Sequence, residues 1–242
     1  MKHKFFTFVS LCVVSTCQLL ATPTSVFWTN CTTDVQPTEV AHLGFDNYFS
    51  LGNRAKNGSS FPPDIGLTYG LFTWKDISSE IGTDYVGGIK DPWLFNGKLG
   101  IDEGKLFSSA PSFSVCIFNV GTSHNTNLAV VNAVVGHSLP CDLGKAFLGL
   151  FRGKRALGKH RSGWMAAYEK GFCNVKDDSG SEYCKWLFLA DYSSGKNLNG
   201  GGGFAVAYHF TPKISLETGP VWFSDTANNG RWKWSLQLDI DI

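Results

Sequence analysis

The last twelve residues of the chain, RWKWSLQLDIDI (231–242), alternate between apolar and polar side chains. The apolar set is Trp232, Trp234, Leu236, Leu238, Ile240 and Ile242, and the polar set is Lys233, Ser235, Gln237, Asp239 and Asp241. Because successive side chains of a β-strand point to opposite faces, this segment predicts a strand with one apolar face and one polar face. In a soluble protein the apolar face would line the core, whereas in an outer-membrane barrel it would contact lipid.

Three other segments show the same alternation clearly, and they are DIGLTYGLF (64–72), PWLFNGKLGID (92–102) and GGFAVAYHF (202–210). Weaker versions occupy 40–50, 77–87, 113–120, 127–136, 144–152, 162–170, 185–192 and 214–223. Together with the carboxyl-terminal segment they predict about twelve strands, each near the ~10 residues that a tilted strand needs to cross a bilayer. An even number of strands returns both ends of the chain to one side of the membrane.

The connections between these segments differ in length. Short connections such as TWKD (73–76) and TPK (211–213) alternate with longer polar ones such as RAKNGSSFPP (54–63) and RGKRALGKHR (152–161). Outer-membrane barrels have this arrangement, with short turns on one rim and longer loops on the other. One long connection, GFCNVKDDSGSEYC (171–184), falls on the short side and departs from the rule.

A soluble antiparallel sandwich is the alternative fold, since it also gives many alternating strands with Gly-rich turns. The positions of tryptophan weigh against it, because tryptophans near strand ends are typical of the aromatic girdles at membrane interfaces. These residues are Trp93, Trp164, Trp186, Trp222, Trp232 and Trp234. We therefore predict an all-β fold, a closed antiparallel transmembrane β-barrel of about twelve strands.

Composition agrees with a strand-rich membrane protein. Charged residues make up 17% and aromatic residues 14% of the chain, and 27 of its 242 residues are glycine. This suits tight turns and aromatic bands better than a helical bundle. The formal net charge of +1 gives no indication of a nucleic-acid partner, and none is expected.

The amino terminus predicts export. Basic residues at positions 2–4 precede an apolar stretch at 5–20, and Leu19-Leu20-Ala21 forms a cleavage signal before Thr22. We expect a signal peptide at 1–21 and one barrel domain at 22–242. The apolar stretch is short for a helix that would anchor the chain in a bilayer. A lipoprotein acylated at Cys17 is a weaker alternative, because the three residues before it make a poor acylation signal.

Four segments carry a resemblance to a known family. They are FWTNCTTDVQPTEVAHLGFDNYFSLG (27–52), CIFNVGT (116–122), ADYSSGKNLNGGGGFAVAYHFTP (190–212) and ISLETGPVWFSDTANNGRWKWSLQLDI (214–240). The chain resembles a family of uncharacterised, porin-like bacterial outer-membrane barrels over nearly all of its length after residue 21. The resemblance implies a membrane barrel with no established substrate or reaction. Ile242 departs from the phenylalanine that ends many such barrels and that the assembly machinery reads.

If the apolar faces meet lipid, the polar faces line the lumen. The proposed lumen-facing residues are Asp64, Lys98, Asp102, Lys145, Glu169, Lys185, Asp191, Glu217, Lys233, Gln237 and Asp239. Such side chains would hydrate the lumen and bias the passage of ions. We therefore predict a porin-like passive channel for small hydrophilic solutes, without a cofactor. The alternative is a structural or surface-adhesion barrel that conducts nothing, and the choice depends on whether residues 25–36, or a long loop, fold into the tube.

Five cysteines follow the predicted signal peptide: Cys31, Cys116, Cys141, Cys173 and Cys184. Cys173 and Cys184 flank a predicted hairpin turn that would bring them to bonding distance, so we predict a disulfide between them. The pairing of the other three stays open. There is no CxxC motif and the histidines are scattered, so no metal site is expected.

Some outer-membrane barrels are hydrolases, and His137, Ser138 and the nearby Asn132 are the residues of this chain that could form such a catalytic group. Adjacent residues of a strand point to opposite faces, and Ser138 leads into a Leu-Pro turn. A turn serine beside a rim histidine is the favoured interpretation. We therefore predict that the protein is not an enzyme.

The segment RGKRALGKHR (152–161) carries six basic groups, counting His160, and no acid. Its basic residues are Arg152, Lys154, Arg155, Lys159, Arg161 and His160. The segment is either a solvated outer loop or a site that attracts anions, such as lipopolysaccharide phosphates or anionic solutes. The expected partners are outer-membrane lipid and lipopolysaccharide, the barrel-assembly machinery and small hydrophilic solutes.

Overall fold

The structure is a computed structural model that describes residues 25–52 and 54–242, so the predicted signal peptide lies outside the described residues. Twelve strands form within the described part of the chain. They are β1 (Ala41–Phe49), β2 (Asp64–Trp74), β3 (Ile77–Val86), β4 (Trp93–Ile101), β5 (Ser112–Gly121), β6 (Val130–Ser138), β7 (Lys145–Arg152), β8 (Ser162–Lys176), β9 (Glu182–Ser193), β10 (Gly201–Thr211), β11 (Ile214–Phe223) and β12 (Trp232–Asp241).

Each strand pairs antiparallel with the next one in the chain, and β1 pairs with β12 to close the barrel. The closing register places Leu43 opposite Ile240 and Phe45 opposite Leu238. Closure leaves no strand edge unpaired, which a sheet in lipid requires because no water is available to satisfy an open edge. The predicted all-β, closed antiparallel barrel of about twelve strands is confirmed.

The two faces of the barrel wall differ as the alternation predicts. On β12, Lys233, Ser235 and Gln237 are buried inside, with Gln237 only 3% exposed, whereas Leu236 on the outside is 40% exposed. The outer surface of the other strands is likewise apolar. On β7, for example, the side chain of Leu148 is 61% exposed and that of Leu150 is 68% exposed. An exposed apolar band around a closed sheet is the surface of a transmembrane barrel and excludes the soluble sandwich.

Aromatic side chains on the outer face gather at both ends of the strands. Ring pairs near one end are Tyr85–Trp93, Trp164–Tyr192 and Phe204–Trp222, with centroids 5.2, 5.2 and 5.8 Å apart. Near the other end Trp186 and Tyr208 stack edge to face at 4.7 Å. Two such bands fit the two membrane interfaces, where amphipathic rings are favoured.

The two rims are distinguished by their connections. We call the rim that carries 75–76, 102–111, 139–144, 177–181 and 212–213 the turn side, and both the start of β1 and the end of β12 lie there. The opposite rim, the loop side, carries 50–63, 87–92, 122–129, 153–161, 194–200 and 224–231. Two short helices, α1 (Arg54–Asn57) and α2 (Thr226–Asn229), lie on the loop side. In the described chain no helix has the length and apolarity to span a membrane.

The long connection that departed from the turn rule is shorter than the sequence suggests. β8 runs on to Lys176 and β9 begins at Glu182, which leaves only 177–181 as the turn. The pairing is interrupted at Cys173, which has a φ of 57°, while the register is the same on both sides, with Phe172 opposite Trp186 and Asn174 opposite Cys184. The sequence pattern does not show that the strand continues beyond this interruption.

The predicted disulfide between Cys173 and Cys184 is not formed in the structure. Cys173 lies where the pairing is interrupted, with a φ of 57°, and its side chain is exposed. Cys184 is buried, and its thiol donates to the Oδ1 atom of Asn174 at 3.3 Å. The register of the hairpin therefore places Asn174, and not Cys173, opposite Cys184.

Candidate channel lumen and amino-terminal plug

The residues before β1 lie inside the barrel. Residues 25–36, which we call the plug, run through the lumen as a chain without regular secondary structure. Phe27, Cys31 and Gln36 are each no more than 1% exposed. The indole N–H of Trp28 donates to the Asn199 carbonyl on the loop side at 3.0 Å, so the plug enters the lumen at that rim and continues towards the turn side.

Asp191 of β9 holds the loop-side end of the plug. Its Oδ2 atom accepts the backbone N–H groups of Phe27, Trp28 and Thr29 at 3.1, 2.8 and 2.6 Å. Consecutive N–H groups that converge on one point form a binding site for an anion. Hydrogen bonds to a charged acceptor are stronger than neutral ones, so this contact is the principal anchor of the plug at the loop side.

Neutral side chains of β5 and β6 hold the middle of the plug. The hydroxyl of Ser114 donates to the Thr32 carbonyl at 2.9 Å, and the Nδ2 group of Asn132 donates to the Asn30 carbonyl at 3.1 Å. Plug carbonyls that would otherwise be buried without a donor are thereby satisfied. Asn132, weighed above as a catalytic residue, has a structural partner instead.

Charged side chains hold the turn-side end of the plug. Lys98 donates to the Asp34 carbonyl at 2.7 Å, and Lys145 forms an ion pair with the Asp34 carboxylate at 2.7 Å. The Oε2 atom of Glu80 accepts the backbone N–H of Gln36 at 2.6 Å. Residues from β3, β4 and β7 therefore converge on two plug residues, Asp34 and Gln36, which fixes this end from several directions.

Most of the residues proposed from sequence to face the lumen point inward. Seven of them are buried residues within strands. They are Lys98, Glu169, Asp191, Glu217, Lys233, Gln237 and Asp239. Gln237 donates to the Phe27 carbonyl at 3.1 Å, and the ammonium of Lys233 donates to the carbonyls of Asn57 and Asn229 beneath the loops at 3.0 and 2.6 Å.

The other four proposed lumen residues are less buried, and two of them still reach the lumen. Asp64 lines the cavity described below, and Lys145 reaches the plug. Lys185 lies near the turn side, where its ammonium donates to the Phe210 carbonyl at 3.3 Å. Asp102 is exposed in the connection after β4, because that strand ends at Ile101, so the structure does not place it on the lumen wall.

A cavity of about 420 Å³ remains between the plug and the wall formed by β1–β5 and β12. Its wall carries the carboxylates of Asp46, Asp64, Asp84 and Asp239. The Oδ1 atom of Asp64 is buried without a hydrogen-bond partner among the residues that the structure describes. Carboxylates beside an open space attract cations and repel anions.

The two cationic groups of the cavity wall are engaged by acids. The imidazole of His42 contacts Asp239 at 3.1 Å and Asp241 at 2.9 Å. The ammonium of Lys98 lies 3.5 Å from the Glu80 carboxylate. The space therefore presents mainly negative charge to a solute.

His42 and Asp46 were absent from the residues proposed for the lumen. Both lie on β1, AHLGFDNYF, whose inward positions His42, Gly44, Asp46 and Tyr48 line the cavity. The alternation of this strand is weak because a glycine and an aromatic residue occupy two of its inward positions. If side chains are assigned alternately to the outside and the lumen from Ala41 onward, both His42 and Asp46 fall on the lumen side.

The histidine and serine weighed for hydrolysis do not form a nucleophile and base. Nδ1 of His137 contacts Glu103 at 2.7 Å, and the hydroxyl of Ser138 donates to the same carboxylate at 2.7 Å. The serine therefore hydrogen-bonds the acid and not the imidazole, unlike an activated nucleophile. Over the described ranges, no cluster of histidine, cysteine and acidic residues could hold a metal ion.

Comparisons with known proteins add little to this geometry. No family model and no curated protein matches the chain. Among solved structures it is similar to the KdgM porin, at 7% identity and a TM-score of 0.47 over 82% of this chain and 98% of that one. It is also similar to an outer membrane channel from Pseudomonas putida F1, at 10% identity and a TM-score of 0.45 over 87% and 98%. At such values neither likeness carries an argument about function.

Proposed function

We propose that this protein is a porin-like passive channel of the bacterial outer membrane, which passes small hydrophilic solutes through a lumen narrowed by its own plug. The observation that carries the proposal is the cavity of about 420 Å³ that remains beside the plug, with a polar, carboxylate-rich wall. A barrel that served only as a scaffold would have no need of such a space.

The apolar outer band and the two aromatic girdles support the membrane location. A closed barrel is the form in which strands span a bilayer. In this proposal the signal peptide at 1–21 exports the chain, and the barrel-assembly machinery inserts it. The location is tested by recovery of the protein with outer membranes and by a mobility shift on boiling. Recovery as a soluble periplasmic monomer would contradict the proposal.

The charge of the cavity wall supports a preference among solutes. The carboxylates of Asp46, Asp64 and Asp84 face the space, while the nearby Lys98 is paired with Glu80. Rings of carboxylates favour cations in pores. We therefore infer that small cationic and neutral solutes pass more readily than anions, and that the plug sets the upper size.

Planar-bilayer recording tests the channel. The intact chain from Thr22 should give a small, cation-preferring conductance, and a variant lacking residues 25–36 should give a larger one because the cross-section is no longer filled. Asp64→Asn combined with Asp84→Asn should lower the cation preference measured by reversal potential. The matched control is Asp178→Asn, at an exposed carboxylate of a turn-side connection.

The rival function is a non-conducting structural or surface-adhesion barrel. One observation favours it, because the plug is hydrogen-bonded to strands on several sides of the lumen. The same recordings separate the two functions. If the folded variant without residues 25–36 conducts and the intact protein does not, the plug closes the lumen. If neither protein conducts, the channel function is refuted.

A further inference from the structure

The loop side of the barrel carries an excess of positive charge. Among the side chains that the structure describes, nine lysines and arginines in or beside its connections are exposed: Lys56, Lys90, Arg152, Lys154, Arg155, Lys159, Arg161, Lys196 and Arg231. The same connections contain two acids, Asp91 and Asp225, and Asp225 is only 8% exposed. On the turn side the balance is reversed, since the connections hold six acids (76, 102, 103, 142, 177 and 178) and three lysines (75, 105 and 213).

None of these nine cations lies in an ion pair with a described residue. The ion pairs of the described chain are all in the lumen or on the turn side, as Lys145–Asp34 and Lys170–Asp142 illustrate. Exposed cations usually alternate with acids on a soluble surface. On the loop side the nine cations have only two acids in the same connections, so they are available to bind an anionic partner outside the chain.

Backbone hydrogen bonds between loops hold most of these cations on one continuous rim. The N–H of Leu198 donates to the Leu157 carbonyl at 3.0 Å, which joins 194–200 to 153–161. The N–H of Ser224 donates to the Gly200 carbonyl at 2.9 Å, and the N–H of Arg231 donates to the Lys56 carbonyl at 3.3 Å. The four linked loops carry seven of the nine cations, and Arg152 lies directly before one of them. We call these eight exposed cations the basic rim.

The basic rim lies at the level of the membrane interface. Arg152 is the last residue of β7 and shares its outward, lipid-facing side with Leu148 and Leu150. The aromatic pair Trp164–Tyr192 ends the neighbouring strands on the same side. A guanidinium above a lipid-facing strand is placed to meet the headgroup of a lipid, and it does not face a solute that enters the lumen.

We propose that the basic rim binds the phosphate groups of lipopolysaccharide in the outer leaflet. Guanidinium groups bind phosphate through two parallel hydrogen bonds, and lysines add point charges. Because the loops are linked, little ordering of the backbone is needed when the lipid binds. The proposal rests on the outer-membrane location proposed above, but not on conduction through the lumen.

Binding of lipopolysaccharide to the folded protein in detergent tests this assignment. The rim variant combines Arg152→Gln, Arg155→Gln and Arg161→Gln. The control combines Lys75→Gln, Lys105→Gln and Lys213→Gln, which removes the same number of charges from the turn side. A cation near an anionic membrane surface gains about fivefold in affinity, so the rim variant should bind about 100-fold more weakly, whereas the control should bind like the wild type.

Two further arms identify the ligand. Lipopolysaccharide whose phosphates have been removed enzymatically should bind the wild type weakly, and millimolar inorganic phosphate should not displace the intact lipid. Equal loss in the rim and control variants, or equal binding of the dephosphorylated lipid, would overturn the proposal. Displacement by inorganic phosphate would show that the rim serves diffusing anions and would overturn the lipid assignment.

The channel proposal stays separable from this one. Each variant is first shown to be folded by its mobility before and after boiling, and its conductance is then recorded. The rim variant should keep the wild-type cation preference, because the wall carboxylates Asp64 and Asp84 are intact. Loss of lipopolysaccharide binding with conductance unchanged supports the rim, whatever the recordings decide about the channel.

Discussion

Replacing Asp191 with alanine removes the acceptor that holds the loop-side end of the plug. One carboxylate oxygen accepts the backbone N–H groups of Phe27, Trp28 and Thr29. The other oxygen, Oδ1, is buried without a partner in the described part of the chain. Asp191 therefore holds the plug by hydrogen bonds to Oδ2 alone. We expect residues 25–29 to leave their position in a substantial part of the molecules.

The magnitude follows from what the substitution leaves behind. A buried donor without an acceptor costs about 1–3 kcal/mol, so three stranded N–H groups cost about 3–9 kcal/mol if the plug stays in place. The Gln237 and Trp28 hydrogen bonds oppose release by about 0.5–1.5 kcal/mol each, and burial of Phe27 by about 1.5–3 kcal/mol. The cost of leaving the three N–H groups unpaired and the free energy that opposes release are of the same size, so molecules with bound and with released plug should coexist.

Cys31 reports the release. It lies two residues beyond the anchor and is fully buried in the intact lumen. In a background with serine at 116, 141, 173 and 184, a water-soluble maleimide should label it slowly. A loss of about 3 kcal/mol raises the released population by about 100-fold, and the labelling rate should rise with it.

Glu169→Ala is the matched control, because Glu169 is a buried carboxylate on the next strand and its Oε1 atom has no partner among the described residues. This variant should label like the wild type. The reasoning is refuted if Asp191→Ala, shown to be folded by heat-modified mobility, labels Cys31 no faster than the wild type. It also fails if Glu169→Ala releases the plug equally.

Three other predictions follow from single positions. Leu236→Arg places a charge in the lipid and should cost about 2–4 kcal/mol of unfolding free energy in vesicles, and an equal cost for Leu236→Ala would contradict the assignment of the faces. Gly70→Ala should raise conductance, because a Cβ there would overlap the Pro37 carbonyl and push the plug aside; unchanged recordings would argue against contact at that point. Cys173, which is exposed, should react quickly with an aqueous thiol reagent and Cys184, 4% exposed, slowly, so equal rates would contradict the different exposure of the two thiols.

The strands were predictable because their signal is local. Each strand of a barrel meets lipid on one side, so every second side chain is apolar whatever its partners are. That information is contained in about ten consecutive residues, as in β12 (Trp232–Asp241). It fails where the strand is irregular, as at Cys173 with its positive φ, and this is why the sequence does not predict the continuation of β8 beyond Lys170 or the environment of Cys173.

The plug could not be predicted in the same way. Its contacts join residues far apart in the chain, since Asp191 and Thr29 are separated by 162 positions. A polar side chain on the inner face looks the same in the sequence whether it meets water or a backbone N–H group. The plug itself has no period, because its backbone is satisfied by side chains such as Ser114 and Asn132 and not by a sheet.

The inner face therefore performs two tasks that the sequence does not separate. Asp191 on β9 holds the plug, whereas Asp64 and Asp84 on β2 and β3 face the cavity beside it. The two tasks lie on different sectors of one wall, so they should respond to different substitutions. Removing the charge at 64 and 84 should change ion preference and leave Cys31 protected, whereas removing it at 191 should expose Cys31. A barrel in which both substitutions gave the same change in both measurements would not have a plug distinct from its path.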